Sequence, residues 1–211
     1  MLHSFTFNPF SENTYVLVDE AQREALLFDP GCYGPHECRQ LLQWFVDRNI
    51  RPVRLLLTHA HIDHVLGNAF VFEQFGLQPW LHEKDLPDLQ RLAAYAPVFG
   101  IEAQASPEPA GWLKPGETIE FGGKSIELRE APGHSAGSIC FVNHTDGYVI
   151  GGDVLFAGSI GRTDLPGGNL ETLLQSVREQ LFSLPNDYTV YPGHGPATTI
   201  GDEKRHNPFF Q

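Results

Sequence analysis

The segment that most limits what this chain can fold into is His59-Ala60-His61-Ile62-Asp63-His64. It places four metal-capable side chains within six positions, directly behind the apolar run Val53–Leu57. Such a run, entered through Pro52, reads as a buried strand. On an extended segment His59 and His61 project to the same side. Asp63 and His64 lie where the chain turns toward a helix, so they face a second point in space. Imidazole and carboxylate are donors for zinc, iron and manganese. One short segment can therefore serve two adjacent metals. So apolar a strand would not normally end in four ionisable residues without a use for them.

Three single residues extend the pattern. His134 sits in Pro132-Gly133-His134-Ser135-Ala136-Gly137, Asp153 in Gly151-Gly152-Asp153, and His194 in Pro192-Gly193-His194-Gly195-Pro196. Each is a lone polar residue among small residues that let the backbone turn tightly. Asp153 and His194 follow apolar, strand-like stretches. Taken with 59–64, they repeat one arrangement: a strand end carrying a ligand-capable side chain.

The remaining pattern supplies the scaffold. Strands are expected at His3–Phe7, Thr14–Val18, Ala25–Phe28, Val53–Leu57 and Pro79–His82, and again at Glu117–Phe121, Lys124–Glu130, Ser138–Val142, Tyr148–Ile150 and Thr189–Tyr191. Pro35 opens a helix with Cys38, Leu41, Leu42, Phe45 and Val46 on one face, and Pro52 is expected to end it. Further helices are expected at Asn68–Phe75 and Lys84–Tyr95, and after the N-cap Asn169, with Leu170, Leu173, Leu174, Val177 and Leu181 on one face. Residues 97–115 read mostly as loop. This order gives an α/β (α+β) chain of mixed sheets covered by helices, with layered cores. The two halves share a similar element order. Residues 1–211 are expected to form a single domain.

This combination resembles the metallo-β-lactamase fold hydrolases along nearly the whole chain. The resemblance implies a four-layer αβ/βα sandwich with a two-metal site. It implies that His59, His61 and His134 bind a first ion, that Asp63, His64 and His194 bind a second, and that Asp153 bridges both. Two divalent ions per chain follow, zinc first, with iron and manganese compatible. Gly152-Asp153-Val154-Leu155-Phe156, then Gly161-Arg162-Thr163-Asp164, is similar to the glyoxalase II branch. The ending His206-Asn207-Pro208-Phe209-Phe210 is similar to short bacterial members of that branch. The implied activity is cleavage of a thioester, S-2-hydroxyacylglutathione such as S-D-lactoylglutathione, by a hydroxide shared between the ions. Asp63 would help to orient that hydroxide as a catalytic residue. The alternative is a persulfide dioxygenase with a single Fe(II). A non-enzymatic metal-binding scaffold would not need seven such residues. True β-lactamases of the family typically lack a carboxylate at the position of Asp153.

Charge and composition narrow the partners. Fourteen Lys and Arg against 26 Asp and Glu leave a formal charge of -12, which disfavours nucleic acid as a partner. No apolar run approaches membrane-spanning length, and the N-terminus lacks a signal-peptide pattern. Three cysteines, Cys32, Cys38 and Cys140, fit a reducing compartment better than a disulfide framework, and read as small core residues. A cytoplasmic enzyme acting on a small-molecule thioester is expected, as a monomer or weak homo-oligomer. Arg162 and Asp164 are expected to form a local ion pair. His3, His36, His82, His144 and His206 carry no ligand motif. Core packing is the favoured reading for Tyr95, Trp112 and Phe156.

Overall fold

The N-terminal strands form a meander. β1 (Leu2–Phe7), β2 (Glu12–Asp19) and β3 (Glu24–Phe28) pair antiparallel in sequence order. α1 (Gly34–Arg48) has Pro35 in its first turn and stops at Asn49, whose left-handed conformation (φ 51°) returns its N–H to the Phe45 and Val46 carbonyls. The helix thus ends before Pro52, not at it. Pro52 lies within β4 (Arg51–Leu56), beside a register shift between Ala25 and Leu26. The buried face of α1 is narrower than its spacing suggests: Leu41 and Phe45 are buried, whereas Val46 is 61% exposed.

α2 (Ile62–Val65) and α3 (Asn68–Phe75) follow, then β5 (Pro79–Leu81). The helix expected over Lys84–Tyr95 is broken into a 3-10 turn at Glu83–Asp85, α4 (Leu86–Gln90) and α5 (Leu92–Tyr95). Pro87 starts α4, and Arg91 (φ −88°, ψ 0°) ends it. β6 (Gly111–Trp112), inside the stretch expected to be loop, closes a six-stranded sheet in the order β1-β2-β3-β4-β5-β6. Its strands from β3 onward are parallel. Val16, Leu27, Leu41, Phe45, Leu55, Leu57, Val71 and Leu81 are central to one apolar core.

The computed structural model describes all residues 1–211, which divide into two units, Met1–Trp112 and Leu113–Gln211. The second unit holds β7 (Thr118–Phe121), β8 (Lys124–Glu130), β9 (Ile139–Asn143), β10 (Tyr148–Gly152), the hairpin β11 (Leu155–Phe156) and β12 (Ser159–Ile160), β13 (Thr189–Pro192) and β14 (Thr198–Thr199). Its sheet runs β14-β13-β10-β9-β8-β7. α6 (Leu170–Ser176) is capped by Asn169, which accepts from the Thr172 N–H at 2.9 Å, and continues as a wider turn through Leu181. Leu173, Val177 and Leu181 enter the second core, as their spacing predicts, while Leu170 is largely exposed. α7 (Ile200–His206), capped by Thr199, was not expected from periodicity. It is seven residues long and mostly polar, too short for a hydrophobic stripe to register.

Strand direction places the candidate ligands. β3 and β4 are parallel, so Asp29 and the Thr58–His64 segment leave the same edge of the first sheet. In the second sheet β8 and β10 are each antiparallel to β9, and β13 is parallel to β10. Their C-terminal ends therefore share one edge, from which His134, Asp153 and His194 emerge. No helix is long and apolar enough to cross a membrane.

Candidate metal centre

In the first unit the His-rich segment is bound to its sheet by carboxylates. Asp29 Oδ1 accepts from the Thr58 N–H at 2.7 Å, and Oδ2 accepts from the Thr58 hydroxyl at 2.6 Å. The His64 Nδ1–H donates to the same Oδ2 at 3.1 Å. That hydrogen bond fixes the His64 tautomer and presents Nε2 for ligation. The Thr58 hydroxyl has spent its one proton on Asp29, so at 3.0 Å it accepts from His59 Nδ1–H, and His59 also presents Nε2. Asp85 Oδ2 accepts from the Ala60 N–H at 3.1 Å, and Asn8 Nδ2 donates to the Asp63 carbonyl at 2.9 Å.

These restraints cluster the side chains tightly. The His59 ring centroid lies 4.8 Å from that of His61 and 4.1 Å from that of His64. His64 Nε2 is 3.8 Å from Asp63 Oδ2. His59 and His64 are buried, His61 and Asp63 partly so. One ligand-capable atom each from Asp29, His59 and His64 falls within a mutual 4.8 Å. Glu12, fully buried, adds a further carboxyl, with Oε1 3.9 Å from His64 Nδ1. Burial pushes this carboxyl well above its ordinary range, with His64 opposing. The Thr14 hydroxyl lies 2.9 Å from Glu12 Oε2 and 2.7 Å from the Asp29 carbonyl, and accepts from the Gly31 N–H at 2.9 Å.

In the second unit the ligand-capable residues converge on Asp153. His134 Nε2 and His194 Nε2 each lie 3.5 Å from Asp153 Oδ2. The His134 Nδ1–H donates to the Arg162 carbonyl at 2.8 Å, so this imidazole also presents Nε2. Two glycines make the approach possible. A Cβ on Gly161 would stand 1.9 Å from the Asp153 carbonyl oxygen and 3.0 Å from His134 Nδ1. Gly133 adopts φ 125°, and a Cβ there would meet the Leu173 backbone nitrogen at 2.3 Å. Arg162 and Asp164 form the expected ion pair, Nε to Oδ1 and Nη2 to Oδ2, both at 2.7 Å. The Arg162 guanidinium holds the Asp164 carboxyl down at about 2. Phe156, on the β11–β12 hairpin, sets its ring edge-on to His194 at 6.1 Å.

Imidazoles with carboxylates among them, three of the rings fixed by a hydrogen bond at Nδ1 and presenting Nε2, form a donor set that suits zinc, iron or manganese. A family model described as the metallo-β-lactamase superfamily matches residues 7–194. The chain belongs to the metallo-β-lactamase superfamily. It is 38% identical to the hydroxyacylglutathione hydrolase GloC of Haemophilus influenzae, over 95% of this chain and 93% of that one. The solved structure of BLEG-1 B3 metallo-β-lactamase matches with a TM-score of 0.91 and 34% identity, covering both chains fully. That of TTHA1623 in a di-iron-bound form matches with a TM-score of 0.88 and 38% identity, over 98% of this chain and 99% of that one. The chain is a metallo-hydrolase of α/β class, with the fold of this superfamily.

Several supporting residues escaped sequence reasoning. Asp29 directly follows the expected strand Ala25–Phe28 and carried no ligand motif, although an acid at the end of an apolar strand is the signal that picked out Asp153. Asp85 lay inside an expected helix, and Asn8 and Glu12 carried no signal. The three aromatic residues read as core are not core: Trp112 is exposed at 38%, and Tyr95 and Phe156 are half-buried.

Proposed function

We propose that residues 1–211 act as one thioester hydrolase domain, cleaving S-2-hydroxyacylglutathione, such as S-D-lactoylglutathione, to a hydroxyacid and glutathione. The observation that carries this substrate is the similarity to a hydroxyacylglutathione hydrolase over nearly the whole length of both chains. Under this reading His59, His61 and His134 hold one divalent ion, Asp63, His64 and His194 hold another, and Asp153 serves both. Zinc is the preferred metal; a di-iron form of a similar protein keeps iron in view. Bound there, the two ions would lower the pKa of a water and polarise a carbonyl oxygen.

The chain's own residues do the rest. Asp29, Thr58 and the Arg162 carbonyl hold the three imidazoles with Nε2 outward before anything binds. Under the same reading Asp63 would accept from the attacking water and orient it. The leaving group is a thiolate, whose conjugate acid has a pKa near ~8.5, so no general acid is required. We further propose a cytoplasmic protein, monomeric or weakly homo-oligomeric, whose partner is its small-molecule substrate.

The test is a side-by-side assay of the metal-loaded protein with S-D-lactoylglutathione, a chromogenic β-lactam, and glutathione persulfide under oxygen monitoring. Thioester turnover far above the other two is the expected result. Preferred β-lactam turnover would transfer the assignment to the activity named for BLEG-1. Oxygen uptake with the persulfide would replace hydrolysis by the dioxygenase reading.

A further inference from the structure

We propose that Cys32 and Cys38 form a redox-active dithiol, which exchanges with low-molecular-weight disulfides and closes an intramolecular Cys32–Cys38 disulfide. Their spacing fits no metal motif, and each alone reads as a small core residue. The fold brings their Sγ atoms to 3.7 Å. Closing to a disulfide bond of ~2.05 Å needs a relative movement of only ~1.6 Å.

The two sulfurs are not equivalent, which divides the labour between them. Cys32 is buried and tightly packed: a Cβ on the neighbouring Gly67 would meet its Sγ at 2.5 Å, and the Gly67 N–H donates to the Pro30 carbonyl at 2.7 Å. Cys38 is half-buried, in the second turn of α1. Both line a cleft of about 380 Å³ shared with Tyr33, Arg39, Phe70 and Glu102. A small disulfide can enter there and meet Cys38, while Cys32 stays behind it. Cys38 is thus the attacking sulfur and Cys32 the resolving one.

The exchange balances as follows. The Cys38 thiolate attacks one sulfur of the small disulfide, a protein–small-molecule S–S bond forms, and the first small thiolate leaves and takes a proton from water. The Cys32 thiol then gives its proton to solvent and attacks Cys38 Sγ, and the second small thiolate leaves and is protonated. Two protein thiols are oxidised, and one small disulfide is reduced to two thiols.

The experiment exposes the intact, metal-loaded protein to glutathione disulfide at several ratios to glutathione. Samples are quenched in acid, alkylated with a maleimide in denaturant and weighed. The expected result is loss of two alkylation sites, no added glutathionyl mass, reversal by dithiothreitol, and a peptide map joining Cys32 to Cys38. Cys140, fully buried and pushed up to about 12 by that burial, is expected to be alkylated throughout. Cys32→Ser is expected to stop at one glutathionyl group on Cys38, and Cys38→Ser and Cys38→Ala at none. The proposal is overturned if the wild-type chain keeps all three thiols, if it accumulates a stable glutathionyl adduct without closing, or if the Cys38 variants oxidise like the wild type. Since the wild-type chain alone decides the first two outcomes, a variant that folds poorly leaves the test intact.

Discussion

In residues 1–112, four metal-capable side chains lie within six positions, across the end of one strand and the start of a short helix; in residues 113–211, three come from the ends of three strands far apart in sequence. The difference lies in what must be correct for each set to form. The His59–His64 segment needs one strand end and a few restraints on one loop, supplied by Asp29, Asp85 and Asn8. The His134, Asp153 and His194 set needs the order and direction of β8, β10 and β13, and then two glycines that let backbones approach. Local sequence gathers the first set, and distant residues hold it in place. Sheet topology builds the second.

This contrast can be broken by substitution. The largest effect is expected at Asp153, where two imidazoles converge. Asp153→Ala should cut kcat/KM by ~10³-fold or more, about 4 kcal/mol of transition-state stabilisation. A variant within threefold of wild type would remove Asp153 from the chemistry.

Next comes Gly161→Ala, whose Cβ has no room beside the Asp153 carbonyl. Forcing backbone apart there should cost about 3 kcal/mol, read as a lower urea midpoint. An unchanged midpoint would mean that the second set tolerates looser topology than argued. Asp29→Asn should leave the fold intact and weaken metal affinity 10–100-fold in a chelator competition, because the carboxylate no longer accepts from His64 and Thr58. No loss would mean that the loop holds its imidazoles without its sheet.

The smallest effect belongs to Asp164. Arg162 depresses its folded carboxyl to about 2, so the pair's contribution exists above the carboxylate's ordinary ~3.9 and is lost as pH falls through about 2. The pair is exposed and screened, so Asp164→Asn should shift the urea midpoint at pH 7 by less than the measurement resolves. A clear shift would give this loop a structural weight that its exposure argues against.

The same contrast explains what was legible in the sequence. The longer strands, the α1 and α6 helices and the strand-end position of every candidate ligand could be read from local pattern, but not the two-residue strands β6, β11, β12 and β14. So could the Arg162–Asp164 pair, two residues apart. Features that depend on distant chain were not legible. Asp29 gains its role only because β3 lies parallel to β4. Cys32 and Cys38 are local, six positions apart, but meet only through the turn of the loop after β3 into α1, which their spacing does not show. The break at Arg91 and the short α7 were missed because elements of four to seven residues carry too little periodicity.

The proposed function stands most directly on two divalent ions per chain. Counting metal ions per chain by mass spectrometry, in the wild type and in the triple variant His134→Ala/Asp153→Ala/His194→Ala, tests it most directly. The account predicts two ions in the wild type, and at most one, weakly held, in the variant. Two ions retained in the folded variant, or none bound by the wild type under excess zinc, would contradict it.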